Sequence, residues 1–398
     1  MIEDCFGPAS GSYADCVNSA ALCARRRAIA SAGVALLASV SLRSLPAQAS
    51  TDLPLSVLDV ARARTLDDRL PEGLAAWLQA EPSRRLSIYP TSPAIRLPAE
   101  HPVPFPAPAS GLEVVVNHLR RYTGGGIERW GLSYPVRPRG ETYAVGFRFR
   151  RIYASHLEGA TPGLLFVAML AYTAPTSLRG QVVLVHEPMD FVSGRRSAWV
   201  YSAAQRRVRR APDLAYDAVS DGSEGMVTAD QVDGFNGAPD RYEWVLLGLE
   251  ERIVPFGTGG LGGSSLAVAD WAGRGSVQSR WLRFESRPVW VVEARLRHGA
   301  SHIYPRRRFY VDPDCWTVLL EEVWSNRGTL WRLALHGITP LPDGIGPMTR
   351  YSLFHDLDAG SYFATGFDDP SQPSMRIGVR AAMSEFTPDA LRRAAAQF

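Results

Sequence analysis

The sequence predicts an α+β protein built mainly from one large antiparallel sheet. Beyond residue 126, apolar residues recur at every second position and short turn segments separate the runs, which is typical of antiparallel strands. Residues 110–126 instead show the apolar repeat of an amphipathic helix. The 398 residues, of which 46% are hydrophobic and 21% charged, have an ordinary globular composition and can bury a sizeable core.

Residues 1–49 have the pattern of a cleavable export signal. Arg25–Arg27 form a basic patch, the apolar stretch Ala28–Leu42 follows, and Ala47-Gln48-Ala49 fits the small-residue cleavage rule. We therefore expect cleavage after Ala49, by a Sec or a twin-arginine route, and a mature protein in the periplasm, free or associated with the outer membrane. A membrane-anchored N-terminus is the alternative. Cys315 is the only cysteine beyond this point, so the mature chain cannot form an internal disulfide.

The segment 50–109 is rich in proline and turn residues. Residues 70–80 predict a short helix, whereas 89–110 contain too many prolines for regular structure. We predict that 50–109 is an extended segment that wraps around a domain formed by residues 110–398.

The clearest predicted helix begins at Ser110. Ser110 and Glu113 have the spacing of a capping box, in which each side chain bonds to the other residue's backbone N–H. The predicted apolar face consists of Leu112, Val115, Val116, Leu119 and Tyr122. Gly124–Gly126 follow, and they either end the helix or serve as a hinge for a lid.

Several later stretches predict strands. In 287–299, apolar residues alternate with Glu293, Arg295 and Arg297, which predicts a strand with one buried and one solvated face. The buried face would consist of Trp290, Val292, Ala294 and Leu296. Further strands are predicted in 180–191 and 241–256, and three more in 306–337, with turns at Asp312-Pro313-Asp314 and Ser325–Gly328. A short C-terminal helix is predicted with Thr387 as its cap and Pro388 at its first position.

Four arginines fall within residues 206–210, beside an aromatic strand. Trp199–Tyr201 and Arg206–Ala211 predict a hairpin that turns through Ser202–Gln205. A solvated strand explains these arginines, and a surface for anionic lipid headgroups or for a partner is the alternative. The formal net charge is only +3, so we expect no nucleic-acid partner.

Motifs for catalysis or metal binding are weak. All 43 basic residues are arginine, which excludes Schiff-base, P-loop and Ser-Lys chemistry. Gly257, Gly259 and Gly262 match a dinucleotide-binding fingerprint, but no helix-forming stretch follows, so a flexible loop is predicted. His298 and His302 lie in a strand-turn segment, where they would diverge. We expect no catalytic residue, cofactor or metal, although a triad of distant residues stays open.

Residues 233–244 form the most distinctive loop. Asn236, Asp240 and Arg241 lie among the aromatic residues Phe235 and Trp244. Asn-Gly and Ala-Pro-Asp favour turns, so a tight turn held by its own polar side chains is one interpretation. The other is a loop that contacts a ligand or a partner.

At these residues the chain resembles a known family, the periplasmic proteins of domain of unknown function 1329. The matching stretches are 104–130, 235–244, 287–316 and 386–393. The resemblance implies the fold of the lipoprotein carriers of the Lol pathway, an unclosed, curved antiparallel half-barrel with helices plugging its concave face. The family has no agreed activity, so no catalytic residue is carried over. It is associated with exporters of the resistance-nodulation-division superfamily.

The function that these features predict is a periplasmic carrier for a hydrophobic ligand such as a lipid or lipoprotein acyl chains, with an exporter or outer-membrane protein as partner. A curved sheet can offer its apolar face as a cavity. Val116 and Leu119 of the helix, and Trp290, Val292 and Leu296 of the strand, would line this cavity, although the same strand face also suits a plain core. A scaffold of a transport complex is the alternative, and a lipid- or cell-wall-directed enzyme is less favoured.

Overall fold

The computed structural model describes residues 56–58 and 69–398, except residues 82, 191–193, 259, 264–265, 343, 345 and 374. The predicted signal segment 1–49, with its cleavage point after Ala49, lies outside the described residues.

The described residues contain four α-helices. These are α1 (Glu72–Gln79), α2 (Gly111–Arg120), the single turn α3 (Val268–Trp271) and α4 (Pro388–Ala395). The C-terminal helix begins as predicted, because Pro388 occupies its first turn and the Thr387 side chain accepts a hydrogen bond from the Ala390 N–H. None of the helices in the described ranges is long and apolar enough to cross a bilayer.

Strands make up most of the fold. In chain order they are β1 (Ser56–Leu58), β2 (Leu86–Ile88), β3 (Gly126–Val136), β4 (Val145–Tyr153), β5 (Leu157–Glu158), β6 (Leu164–Tyr172), β7 (Val182–Pro188), β8 (Ser197–Ser202), β9 (Arg207–Arg210), β10 (Tyr242–Pro255), β11 (Phe284–Leu296), β12 (Arg306–Val311), β13 (Val318–Trp324), β14 (Leu330–Pro340), β15 (Pro347–Asp356), β16 (Ser361–Asp368), β17 (Arg376–Ile377) and β18 (Ala381–Ala382). The strands predicted in 180–191, 241–256, 287–299 and 306–337 are confirmed, as is the hairpin of β8 and β9.

Sixteen of these strands form one sheet in the order β1-β2-β11-β12-β13-β14-β15-β16-β3-β4-β6-β7-β8-β9, with β10 beside β11 and β17 beside β3. All neighbours are antiparallel except β2 and β11. Two meanders, β3 to β9 and β10 to β16, therefore meet where β16 pairs with β3. The ends β1 and β9 do not pair with each other, so the sheet is open and curved, as predicted.

The two faces of the sheet carry different clusters. Face A, which presents Val291, Leu335 and Tyr362, packs against α1 in the largest apolar cluster and, farther along, against α4 through Leu391. Face B, which presents Val292, packs against α2. Helices therefore cover parts of both faces. Helix α1 belongs to the central core, because Leu74, Trp77 and Leu78 are fully buried there.

The predicted apolar face of α2 needs correction. Leu112 is 42% exposed and Val116 is half-buried, whereas the polar residues Asn117 and His118 are buried. The helix is rotated because these polar side chains find partners inside. Asn117 forms two hydrogen bonds with the Phe105 backbone, and His118 Nδ1 lies 2.9 Å from the Trp316 carbonyl oxygen.

The capping box is half formed. The Ser110 hydroxyl accepts a hydrogen bond from the Glu113 N–H, but the Glu113 carboxylate accepts from the Ala109 N–H instead of the Ser110 N–H. After the helix, Gly124 and Gly125 adopt positive φ angles of 92° and 68°, and a Cβ on Gly126 would lie 1.9 Å from the Val379 carbonyl oxygen. The glycines are thus required by the turn into β3.

The predicted solvated face of β11 is also corrected. Val289 and Val291 are buried in the main cluster on face A, and Glu293 on the same face is only 3% exposed. Arg295, Arg306 and Arg308 enclose the Glu293 carboxylate at 2.8–3.0 Å. A buried carboxylate is tolerated when it is paired in this way. Strand β11 is central because β10 and β12 flank it, which explains why both faces are covered.

Candidate ligand-binding cleft

Face B contains a half-enclosed cleft with a volume of about 240 Å³. It extends across the junction of the two meanders, so β3, β4 and β6 supply one part of its floor and β15 and β16 the other. Apolar side chains predominate in its lining, which includes Ile127, Phe147, Phe149, Leu170, Met348, Phe354, Phe363 and Met375.

The strand register explains why these side chains converge. Phe149 of β4 stands directly opposite Arg129 of β3 and Leu170 of β6, so all three point to face B. Two residues along, Phe147 is opposite Gly131, where a Cβ would lie 2.5 Å from the ring. The missing side chain at this glycine leaves room for the aromatic ring. Cross-strand pairs of this kind place large side chains within contact distance.

Residues 212–241, here called the covering loop, border the cleft on the side away from the sheet. Val227, Val232 and Asp233 of this loop belong to the lining. Asp233 holds the loop in place, because its carboxylate lies 2.8 Å from Arg121 Nη2 and 3.0 Å from Arg151 Nη1 and accepts a hydrogen bond from Thr349. Burial opposes ionisation of Asp233, but the two guanidinium groups outweigh it and keep its pKa well below the usual range.

A second buried carboxylate fastens the same loop to the sheet. Asp230 lies 2.6 Å from Arg307 Nη1 and 3.1 Å from His302 Nε2. Burial raises the pKa of Asp230, but Arg307 and His302 outweigh that effect and bring it to about 2. Arg307 also pairs with Glu321 at 2.5 Å and has no exposed surface. The covering loop is therefore joined to the sheet by buried ion pairs.

The cleft also contains charged groups. Arg129, Arg151 and Arg350 are among its lining residues, together with Asp221 and Asp233. Burial, reinforced by the neighbouring Arg350, lowers the pKa of Arg129 to about 10, so its guanidinium stays protonated at neutral pH. The cleft therefore combines an apolar floor with cationic groups, an arrangement that suits an amphiphilic molecule.

The sequence-predicted lining residues lie elsewhere on face B and do not belong to this cleft. Leu119, Phe235, Trp244 and Val292 are buried together beneath α2, with Trp290 and Leu296 at the edge of the same cluster. The rings of Phe235 and Trp244 meet at 5.2 Å between centroids. Val116 is half-buried on α2. A ligand contact at these residues stays a prediction.

The polar residues of the predicted loop mainly bond to the protein itself. The Asn236 amide donates to the Ala229 and Val232 carbonyl oxygens and accepts from Arg196. Asp240 is exposed and accepts a hydrogen bond from Tyr216, whose ring lies 3.4 Å from the Arg241 guanidinium carbon. These contacts agree with the turn interpretation, and a partner-contacting role stays a prediction.

Sequence reasoning missed the residues that line the cleft. In Val145–Tyr153, phenylalanines alternate with arginines, and this period-two signal was visible in the sequence. Phe354, Phe363 and the residues of β3 are distant in sequence, and only the register of β3 with β16 brings them together. Among the described residues, no group of three or more His, Cys, Asp or Glu side chains could hold a metal ion.

Comparison with known proteins gives one family. The family described as "Protein of unknown function (DUF1329)" matches residues 97–392. An uncharacterized protein of Pseudomonas aeruginosa, PA3922, is 36% identical over 294 residues, which make up 73% of this chain and 65% of that protein. The chain thus spans slightly less than two thirds of the length of this relative.

Solved structures resemble the fold. A DUF1329 family protein from Desulfovibrio piger has 16% identity and a TM-score of 0.50, with 71% of this chain and 97% of that chain covered. A Vibrio parahaemolyticus structure described as an outer membrane lipoprotein-sorting protein domain has 14% identity and a TM-score of 0.49, covering 71% and 98% of the two chains. The resemblance that the sequence indicated is confirmed by the match over residues 97–392: the chain belongs to the DUF1329 family.

Proposed function

We propose that this protein is a periplasmic carrier that binds a hydrophobic molecule in the cleft on face B. The observation that supports the proposal is the cleft itself, a half-enclosed space of about 240 Å³ with a mostly apolar lining. Removing apolar surface from water favours binding of a lipid-like ligand at roughly 25 cal/mol per Å². An opening to solvent lets such a ligand enter and leave, as a carrier requires.

The lining also favours adaptable binding. Met348 and Met375 are unbranched and polarizable, so they can repack around chains of different shape. The aromatic rings of Phe147 and Phe149 offer a firm floor, since β4 holds them between two neighbouring strands. A carrier with these walls would accept a class of related molecules instead of one compound.

Binding of a neutral apolar probe tests this proposal. Purified protein, freed of lipid, would be titrated with N-phenyl-1-naphthylamine, whose fluorescence rises in apolar sites. We expect saturable binding that falls at least about tenfold in Phe149→Asp, because a carboxylate in the floor must be desolvated. Leu249→Asp is the matched control, since Leu249 is 51% exposed on β10, outside the cleft.

Binding that is absent from the native protein, or equal in both variants, would contradict the carrier proposal. Circular dichroism would show whether Phe149→Asp keeps its strand content, and Phe149→Ser offers a smaller change at the same position.

The proposed location and partner rest on other features. Export follows from the basic and apolar pattern of residues 25–49. A resistance-nodulation-division exporter or an outer-membrane protein is the proposed partner, to which the carrier would pass its ligand. Pull-down from a crosslinked periplasmic fraction would test both points, and recovery of the protein from the cytoplasm with an intact segment 1–49 would contradict them.

One feature favours the second candidate, a scaffold of a transport complex. Strand β10 has 14 residues and, within the described ranges, pairs only with β11. Leu247 and Leu249 on this edge strand are 43% and 51% exposed. An unpaired strand edge is a template for binding another chain. A scaffold would bind its partner through this edge while failing to bind the apolar probe.

A further inference from the structure

Two arginines share one carboxylate at the wall of the cleft. Arg350 Nη1 lies 2.8 Å from Asp368 Oδ1, and its Nη2 contacts Asp368 Oδ2, so this guanidinium engages the carboxylate with both terminal nitrogens. Arg129 Nη2 is 3.9 Å from the same Asp368 Oδ1. This group of three side chains thus contains two guanidinium groups and one carboxylate.

Of the three arginines in the lining, Arg129 makes the fewest hydrogen bonds to the described residues. Its Nη2 donates to the Gly366 carbonyl oxygen at 2.6 Å, while its Nε is buried and has no hydrogen-bond partner among the described residues. The Nε of Arg151 is likewise buried without a partner, but Arg151 uses one terminal nitrogen for Asp233 and the other for Thr123. The Nη1 of Arg129 has no hydrogen-bond partner among the described residues and is not among the fully buried atoms. This nitrogen can therefore donate to an anionic acceptor that arrives from the cleft.

The remaining acidic group of the lining does not supply this acceptor. Asp221 lies on the covering loop, accepts a hydrogen bond from Gln181 Nε2, and has its pKa raised by burial. Asp233 is already shared by Arg121 and Arg151. Beside the cleft there are thus two places at which two arginines share one carboxylate, and the lining itself contains three arginines and two aspartates.

Arg129 also stands next to the apolar floor. It lies directly opposite Phe149 on the neighbouring strand, and Phe149 lies opposite Leu170. An anionic head at Arg129 would therefore be continuous with a chain that runs along Phe149 and Leu170. The cleft volume of about 240 Å³ is below the range of roughly 300–1,000 Å³ that is usual for drug-sized ligands, so it accommodates one chain.

From this juxtaposition we propose that the cleft binds a single-chain amphiphile whose anionic oxyacid head is held by Arg129. The guanidinium donates hydrogen bonds to two oxygens of the head, as arginine does with carboxylates and phosphates. The proposal rests on the carrier function above and adds the ligand's charge and chain number to it.

Isothermal titration at pH 7.5 and low salt would compare dodecanoate, monododecyl phosphate and dodecanol, with inorganic phosphate as the head alone. We expect at least one anionic amphiphile to bind about tenfold or more tightly than dodecanol. Inorganic phosphate would bind weakly, because it lacks the chain. Whichever of dodecanoate and monododecyl phosphate binds more tightly identifies the head group as a carboxylate or a phosphate.

Substitutions of Arg129 test the contribution of the ligand's head group separately from that of its chain. In Arg129→Gln the affinity for the anion should fall about tenfold or more and the affinity for dodecanol by much less, so that the preference for the anion disappears. Arg207→Gln, which removes an exposed arginine of β9, is the matched control and should keep the preference. Arg129→Gln should stay folded in circular dichroism, since it removes a buried charge, and Arg129→Met provides a second variant.

Equal affinity for dodecanoate, dodecyl phosphate and dodecanol would overturn the head-group proposal and leave the carrier function standing. An anion preference that survives in Arg129→Gln and Arg129→Met would also overturn it. If dodecanoate, monododecyl phosphate and dodecanol all failed to bind, both the head-group proposal and the carrier function would be overturned.

Discussion

Arg121 at the end of α2 lies 2.8 Å from the carboxylate of Asp233 in the covering loop. Arg151 of β4 reaches the same carboxylate at 3.0 Å, and Thr349 of β15 donates a hydrogen bond to it. A helix, two strands from different meanders and the loop over the cleft thus meet at one side chain. The position of the loop over the cleft depends on this junction.

We expect Asp233→Asn to destabilise the protein by about 3 kcal/mol, because two largely buried guanidinium groups would lose their shared carboxylate. The shift of the urea unfolding midpoint would measure this loss. Asp240→Asn is the control and should stay within about 0.5 kcal/mol, since Asp240 is exposed. Similar midpoints for the two variants would show that the junction contributes little.

The rotation of α2 can be tested with two identical substitutions. Leu119 is 9% exposed and packs in the cluster beneath the helix, whereas Leu112 is 42% exposed. Leu119→Ala should cost about 2–5 kcal/mol of unfolding free energy. Leu112→Ala should cost less than about 0.5 kcal/mol. Equal costs, measured by chemical denaturation, would favour the helix face that the sequence predicts.

Gly126→Ala should destabilise the turn into β3. The new Cβ would lie 1.9 Å from the Val379 carbonyl oxygen, so the backbone must shift, at a cost of about 1–3 kcal/mol. Gly263→Ala is a matched control, because the nearest atom to a Cβ there is 3.7 Å away. Thermal unfolding followed by circular dichroism would compare the two. A Gly126→Ala protein that melts with the native one would argue against this close approach.

Stability should fall on mild acidification because of three buried histidines. Burial lowers the pKa of His118 to about 3, of His336 to about 4 and of His355 to about 3. The unfolded chain takes up these protons near pH 6.5, whereas the folded chain resists them. Between pH 6.5 and 4, each histidine therefore lowers the unfolding free energy by about 1.4 kcal/mol per pH unit.

Buried carboxyls such as Glu187 and Glu321, whose pKa burial raises, act in the opposite direction. The measurement is therefore how the pH dependence of the urea unfolding midpoint changes when a single histidine is replaced. Urea midpoints of His355→Gln at pH 7.5, 6.0 and 5.0 should fall less steeply than those of the native protein. An unchanged slope would mean that His355 is not neutral in the fold.

The regular parts of the fold could be predicted because their signals are local. Strand β11 alternates apolar and polar residues along part of its length, β7 and β10 contain apolar runs typical of strands, and Thr387-Pro388 marks the start of α4. The buried face of α2 could not be predicted, since apolar residues occur at positions 112, 114, 115, 116 and 119, around most of the helix. Its orientation depends on His118 and Trp316, which are 198 residues apart.

The candidate site was harder to predict for a related reason. The most regular apolar residues, such as Val292 and Trp244, are buried in one cluster and so become core. The cleft is formed where the pattern is mixed, with Arg129 and Arg151 among apolar neighbours. Its walls come from both meanders, and local periodicity carries no information about which strands of two meanders will pair.

The pairing of β3 with β16 has a consequence for how the protein folds during its synthesis. Ser133 and Thr365 face each other across this pair, and their hydroxyl oxygens are 2.7 Å apart although 232 residues separate them in the chain. Contacts between such distant residues form late, because a long stretch of chain must first be ordered. During synthesis the floor of the cleft stays incomplete until β15 and β16 have been made, so the earlier strands expose Phe147 and Phe149 until then. A nascent chain of this protein is consequently most prone to aggregation in the interval before its last long strand closes the junction.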